Sequence, residues 1–374
     1  MKIGVIQFPG SNCERETKLA LQRVGFEAVD CFWHADADLV KSLDGFVIVG
    51  GFSYEDRVRS GLIASKDPFM RLICNEAAKG KPILGICNGA QILVESGLLG
   101  GPIALTQNQR VKNGELLGTG FYNDWVEIKS NRAPTNQPIR LPIAHAEGRF
   151  LLDPTFYQAL QQKGALLYTY CGENPNGSEH HLAAVSDKTS RVMAMMPHPE
   201  RTTAGDIIFK SFFEQALEGC PINLDPIVTP SLPFTDCVLN PNAYHAWVAL
   251  KIDDNEAISL ENTLQDLGYS LPLKRLVHWE ISNITAEEYQ HLKNSDELLN
   301  HQKEYLSEPK MRPCYLVRAK DDEQAFRKQL ALTKMLNKSV QVKRDVVWIS
   351  HQPLPQAIYE LLGNPLSHSG LILS

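Results

Sequence analysis

The stretch Pro82-Ile83-Leu84-Gly85-Ile86-Cys87-Asn88-Gly89-Ala90-Gln91 decides how the N-terminal part of this chain is read. Residues 82–86 form an apolar run with the length of a buried strand, and a helix is expected over about 88–96. Gly85 and Gly89 flank Cys87 at equal spacing. This is the G-x-nucleophile-x-G pattern of a strand–turn–helix elbow, with Cys in place of Ser. Such a turn strains the backbone of its central residue, and side chains at the flanking positions would block the strand from crossing the helix. The helix start points its positive end at the sulfur, which favours a thiolate, and leaves the Asn88 N–H free to hold an oxyanion. Taken alone, the pentapeptide fits a buried structural thiol equally well.

The surroundings favour the first reading. Upstream, strands are expected over 2–8, 28–33 and 45–49, with helices over 14–24 and 67–78. Alternating short buried strands and helices imply a parallel sheet covered on both faces. Further strands are expected over 125–128, 141–144, 165–170 and 192–196. A last helix over 206–217 carries Ile207, Ile208, Phe212 and Phe213 as its apolar face. In an open parallel sheet, ligands bind beyond the carboxyl ends of the strands. Gly50-Gly51, Cys87 and Met196-Pro197-His198-Pro199-Glu200-Arg201 all follow strands, so they fall on one edge.

A nucleophilic cysteine needs a base, and His198 with Glu200 two residues on supplies a base and its orienting carboxylate. Gly51 offers a second oxyanion N–H. The bland alternatives are a surface His in a capped turn and a plain glycine turn. The two prolines around His198 and the convergence on one edge weigh against them.

Composition excludes several classes. The chain has 374 residues, 43% hydrophobic and 21% charged, with a net charge of -6. That balance fits a globular protein, not a disordered chain, a nucleic-acid coat or an anionic-membrane binder. No apolar run reaches the length of a membrane-crossing helix. None of the eight cysteines forms a CxxC pair. Zinc-ribbon spacing is therefore absent, and no metal site is expected. With no secretory signal in the sequence, reduced thiols and a cytoplasmic setting are expected.

Pro221, Pro226, Pro230, Pro233 and Pro241 crowd a short stretch. Their density implies an extended linker over 220–242, between a domain at 1–219 and another at 243–374. The second domain reads as strands at 246–252, 273–281, 314–318 and 340–349, with helices at 257–267 and 323–336. A polar, helical segment lies between its two β-α-β halves, as an insertion at about 283–312. An α+β layer on an antiparallel sheet follows. Residues 366–374 are expected to form a loose tail.

Together these residues resemble the class I (triad) glutamine amidotransferases, whose pattern G-x-C-x-G-x-Q is matched by Gly85-Ile86-Cys87-Asn88-Gly89-Ala90-Gln91. The match is closest to the glutaminase subunits of phosphoribosylformylglycinamidine synthases. It runs through Pro9–Cys13, Gly50–Tyr54, Ala144–Gly148, Asn174–Ser178 and Met195–Arg201, in family order across residues 1–218. Two positions depart from the family: Glu55 stands where Gly is usual, and Ala146 replaces Gly in the His-Gly-Glu-Gly run.

The resemblance implies a flavodoxin-like α/β domain with a mostly parallel sheet, and a triad of Cys87, His198 and Glu200. It implies an oxyanion hole from Gly51 and Asn88, and Gln91 shaping the glutamine pocket. The implied reaction hydrolyses L-glutamine to glutamate and ammonia through a Cys thioester. No Walker A motif is present, so ATP and Mg are expected on a separate large synthetase subunit and no cofactor in this chain. That subunit would aminate formylglycinamide ribonucleotide in purine biosynthesis. The second domain resembles the small third subunit of the same synthase; the alternative is an unrelated appendage used for self-association. Competing readings are the glutaminase of another amidotransferase, an elbow-cysteine hydrolase, and a catalytically silent scaffold of the same fold.

Overall fold

The computed structural model describes residues 1–132, 137–218, 227–311 and 313–374, and of 217 and 218 the backbone only. The chain divides into two compact units, Met1–Pro230 and Ser231–Ser374.

The first unit is built on a nine-stranded sheet. Five strands run parallel in the order Glu27–Phe32, Lys2–Gln7, Gly45–Ile48, Ile83–Ile86, Val192–Met195. This is the doubly wound flavodoxin-like order, in which chain reversal opens a crevice at the carboxyl edge. Four antiparallel strands extend it: Leu182–Ser186, Leu166–Tyr170, Tyr122–Ser130 and Ile139–His145. Gly45–Ile48 and Ile83–Ile86 are buried at every position, as strands covered by helices on both faces must be. Helices Glu14–Arg23, Pro68–Ala78, Asn88–Ser96 and Asp206–Glu218 cover it. Asp67 caps Pro68–Ala78 by accepting from the Phe69 N–H, with Pro at the first helical position, where its missing donor costs nothing. Among the described side chains of the last helix, Ile208, Phe209, Phe212, Phe213 and Ala216 are buried, whereas Ile207 is 55% exposed. The apolar face is thus turned by one residue from the expected one.

The second unit is a seven-stranded sheet, largely antiparallel. Alternate residues of its strands feed two cores. Ala246, Val248, Trp279, Ile281 and Val342 face one side, and Trp247, Ala249, Leu276, Leu316 and Val347 the other. Helices Asn255–Asp266 and Glu323–Leu336 accompany the sheet.

Three expectations change here. Residues 220–226 of the predicted linker lie outside the described residues, but Phe234–Asp236 is a strand that pairs with His368–Leu373. Pro233 precedes it at the sheet edge, where a proline removes no ladder bond. The supposedly loose tail is that partner strand, held between Phe234–Asp236 and Cys314–Ala319. Its own composition is weak, and hydrogen bonding on both sides fixes it. Finally, the polar segment 284–309 is not one helix. A capping box of Thr285 and Glu288 starts helix Ala286–Lys293, and Glu304–Leu306 then adds an edge strand beside Tyr244–Leu250.

Inside the second sheet, His278 and Asp345 pair across neighbouring strands with both side chains fully buried. His278 Nδ1 donates to Asp345 (2.8 Å), and Arg318 donates to both of its oxygens (2.8 and 2.9 Å). Burial opposes the carboxylate, but these hydrogen bonds outweigh it and hold Asp345 below the usual range.

Candidate active site

Strand Ile83–Ile86 ends at Cys87, and helix Asn88–Ser96 begins at the next residue. Cys87 takes φ 51° and ψ -107°, a conformation that costs a non-glycine residue about 1–3 kcal/mol. The Cys87 N–H donates to Met195 O at 2.8 Å, which locks the turn to the strand leading to His198. A Cβ on Gly85 would meet Gly89 O at 2.4 Å, and one on Gly89 would meet Ile48 O at 2.0 Å. Both contacts are impossible, so strand and helix cross this closely only because both residues are glycine.

His198 and Glu200 follow strand Val192–Met195 and are buried, at 1% and 2% exposure. His198 Nδ1 and Glu200 Oε1 are 2.6 Å apart, while His198 Nε2 has no hydrogen-bond partner among the described residues. Burial disfavours a charged imidazole. The Glu200 carboxylate, Cys87 and Cys13 together overcome that penalty and raise His198 well above its ordinary pKa. Cys87 is therefore close enough to act electrostatically on the imidazole that the sequence paired with it.

Gly51 and Asn88, the expected oxyanion donors, follow strands Gly45–Ile48 and Ile83–Ile86. The bridge between Ser11 and Gly51 is made by Asn12 N to Gly50 O (3.1 Å) and Phe52 N to Gly10 O (2.9 Å). Neither bond uses the Gly51 N–H. The Asn88 side chain also ties the site together. Its Oδ1 accepts from Ser53 N (3.0 Å), and its Nδ2 donates to Gln91 Oε1 (2.9 Å) and Asp56 Oδ1 (3.3 Å). Gln91 donates onward to Glu147 O at 2.6 Å. The elbow helix is thus joined to loop 53–56 and to the Ala144–Gly148 run. Burial and the nearby Glu147 charge push Asp56 up to about 7.

Several participants escape sequence reasoning. Asn108 is fully buried, donates to His145 O (2.7 Å) and accepts from Gly148 N (2.9 Å), fixing the loop behind the site. Burial and the His198 charge lower His145 to about 3, which keeps its ring neutral beside the imidazolium. Cys13 is the larger omission. It is 2% exposed, and its sulfur accepts from Arg201 Nη2 at 3.2 Å. Ligand atoms of Cys13, His198 and Glu200 all lie within 4.8 Å of one another. The Pro9–Cys13 run carried the family resemblance, but nothing in its spacing from His198 signalled contact.

The chain belongs to the CobB/CobQ-like glutamine amidotransferase family, whose profile matches residues 1–207. Among curated relatives, the phosphoribosylformylglycinamidine synthase subunit PurQ of Methanothrix thermoacetophila is 41% identical over 226 residues, covering 54% of this chain and 86% of the relative. The subunit of the same name from a Nostoc species is 40% identical over 212 residues, covering 54% and 89%. Of solved structures, a chain of PurLQS from Thermotoga maritima aligns with TM-score 0.48 and 31% identity, over 58% of this chain and 98% of its own.

Proposed function

We propose that this chain is the glutaminase component of a phosphoribosylformylglycinamidine synthase. The observation that carries the chemistry is Cys87 held at a strained elbow beside an imidazole that Glu200 keeps basic. The Cys87 sulfur attacks the side-chain amide carbon of L-glutamine while His198 holds the proton. The N–H groups of Gly51 and Asn88 stabilise the oxyanion. His198 gives its proton to departing ammonia, then activates the water that releases glutamate from the thioester. Glu200 orients His198 throughout, and Gln91 shapes the pocket through its bond to Glu147 O.

Free ammonia at neutral pH would be protonated and lose its nucleophilicity, so it passes to a docked synthetase. The large subunit supplies ATP and Mg chemistry and converts formylglycinamide ribonucleotide to the amidine. No helix among the described residues is long and apolar enough to cross a membrane. A reducing, cytoplasmic setting belongs to this reading. The second unit, with its β-α-β halves around an antiparallel sheet, takes the place of a separate small subunit.

Cys87→Ala tests the assignment. Reconstituted with a cognate large subunit, it should lose glutamine-dependent synthesis and keep ammonia-dependent synthesis. Unchanged glutamine use would refute the reading. If the large subunit and this chain still need a third protein, the role given to the second unit fails.

A further inference from the structure

We propose that Cys13 and Cys87 form a reversible thiol pair that closes to a disulfide under peroxide and shuts the site. The inference rests on Cys87 being the reactive sulfur of the proposed function. Its geometric basis is Gly50. A Cβ at this glycine would stand 3.2 Å from Cys13 Sγ, 3.5 Å from Cys87 Cβ and 3.0 Å from His198 Cε1. Cys13 Sγ and Cys87 Cβ therefore both border the space that a side chain at residue 50 would fill. A disulfide needs Cβ atoms roughly 3.5–4.5 Å apart, so closure draws the two residues together across that space.

The surroundings suit the chemistry. Arg201 Nη2 donates to the Cys13 sulfur at 3.2 Å, so a guanidinium stands against the second thiol. Cys13 stands at the N-cap position of helix Glu14–Arg23, where its side chain makes no capping hydrogen bond. His198 lies within reach of both sulfurs to receive protons. Other thiols are poorly placed: burial pushes Cys31 and Cys74 up to about 11, which suppresses the reactive thiolate form.

The steps balance with hydrogen peroxide as oxidant. The Cys87 sulfur attacks one peroxide oxygen; an S–O bond forms, the O–O bond breaks, and hydroxide leaves to become water with the displaced proton. Cys13, its proton passed to His198, then attacks the Cys87 sulfenic acid. The S–S bond forms, the S–O bond breaks, and hydroxide takes the proton back as a second water. Two thiols are oxidised by two electrons and one peroxide is reduced. Locked in the disulfide, Cys87 cannot attack glutamine, and a dithiol reductant restores it.

The test treats the full chain with hydrogen peroxide, alkylates remaining thiols, and maps cysteine peptides by mass spectrometry. Glutaminase activity with the large subunit is assayed before and after dithiothreitol. The expected result is a linked Cys13–Cys87 peptide, with activity lost on oxidation and recovered on reduction. In Cys13→Ser, Cys87 should instead proceed to sulfinic acid, which dithiothreitol does not reverse. Sulfinic acid on Cys87 of the parent chain without the linked peptide would overturn the pair, whatever the variant does. A linked peptide with no loss of activity would leave the pair standing and refute Cys87 as the nucleophile.

Discussion

His198 Nδ1 and Glu200 Oε1 lie 2.6 Å apart, with side chains 2% and 0% exposed. An imidazole enclosed this fully would lose its charge without a carboxylate beside it. Glu200→Gln keeps the shape and removes the charge. The His198 pKa should then fall, moving the alkaline limb of the glutaminase pH profile to lower pH. The turnover should drop roughly 10²–10⁴-fold, the span of a lost acid–base catalyst and its orienter. A profile that keeps its limb would show that Glu200 does not set the proton affinity.

The turn after Gly51 concentrates strain. Tyr54, Glu55, Asp56 and Val58 all have positive φ, and Glu55 sits at 58°. A left-handed backbone costs an L-residue roughly 1–2 kcal/mol, and glycine escapes this at some entropic cost. Glu55→Gly should raise stability by up to about 1 kcal/mol, read by urea denaturation. The exposed Glu55–Arg57 ion pair that it removes contributes little. A stability loss would mean that this side chain holds the turn in another way.

Asp56 gives a pH signature. Its folded pKa, about 7, lies above the unfolded value. The folded state therefore prefers the protonated acid, an advantage fully present below about pH 4 and lost as pH rises through 7. Asp56→Asn keeps an acceptor for Asn88 and cannot ionise. Its melting temperature relative to the parent should increase between pH 5 and pH 8, and a constant difference would contradict the shifted titration.

In the second unit, Asp345 compensates both His278 and Arg318. Asp345→Ala leaves buried donors without an acceptor and should cost about 3–5 kcal/mol. The parent unit should lose stability on acidification once pH falls through the depressed Asp345 pKa. Denaturation followed by hydrogen exchange should place the loss in Ser231–Ser374. An even loss over both units would count against the assignment.

The elbow was legible because its causes are local. Gly85 and Gly89 are glycine for contacts that a five-residue pattern already encodes. His198 with Glu200 was legible for the same reason, and the departure at Glu55 marked a position that now has a positive φ. Contacts made by sheet order were not legible. Cys13 meets Arg201 across 188 residues only because their strands end on one edge. The strand His368–Leu373 was invisible because its order comes from neighbours on both sides, and not from its own apolar pattern.

That strand has one further consequence. Phe234, near the start of the second unit, pairs in parallel with Gly370. The unit thus brings its entry and its last strand side by side but running the same way, so joining the end of one to the start of the other takes a crossover of about a dozen residues. Such a body is a cassette: its connection could be rewired, with the order of its elements permuted, while every ladder in the sheet stayed as it is.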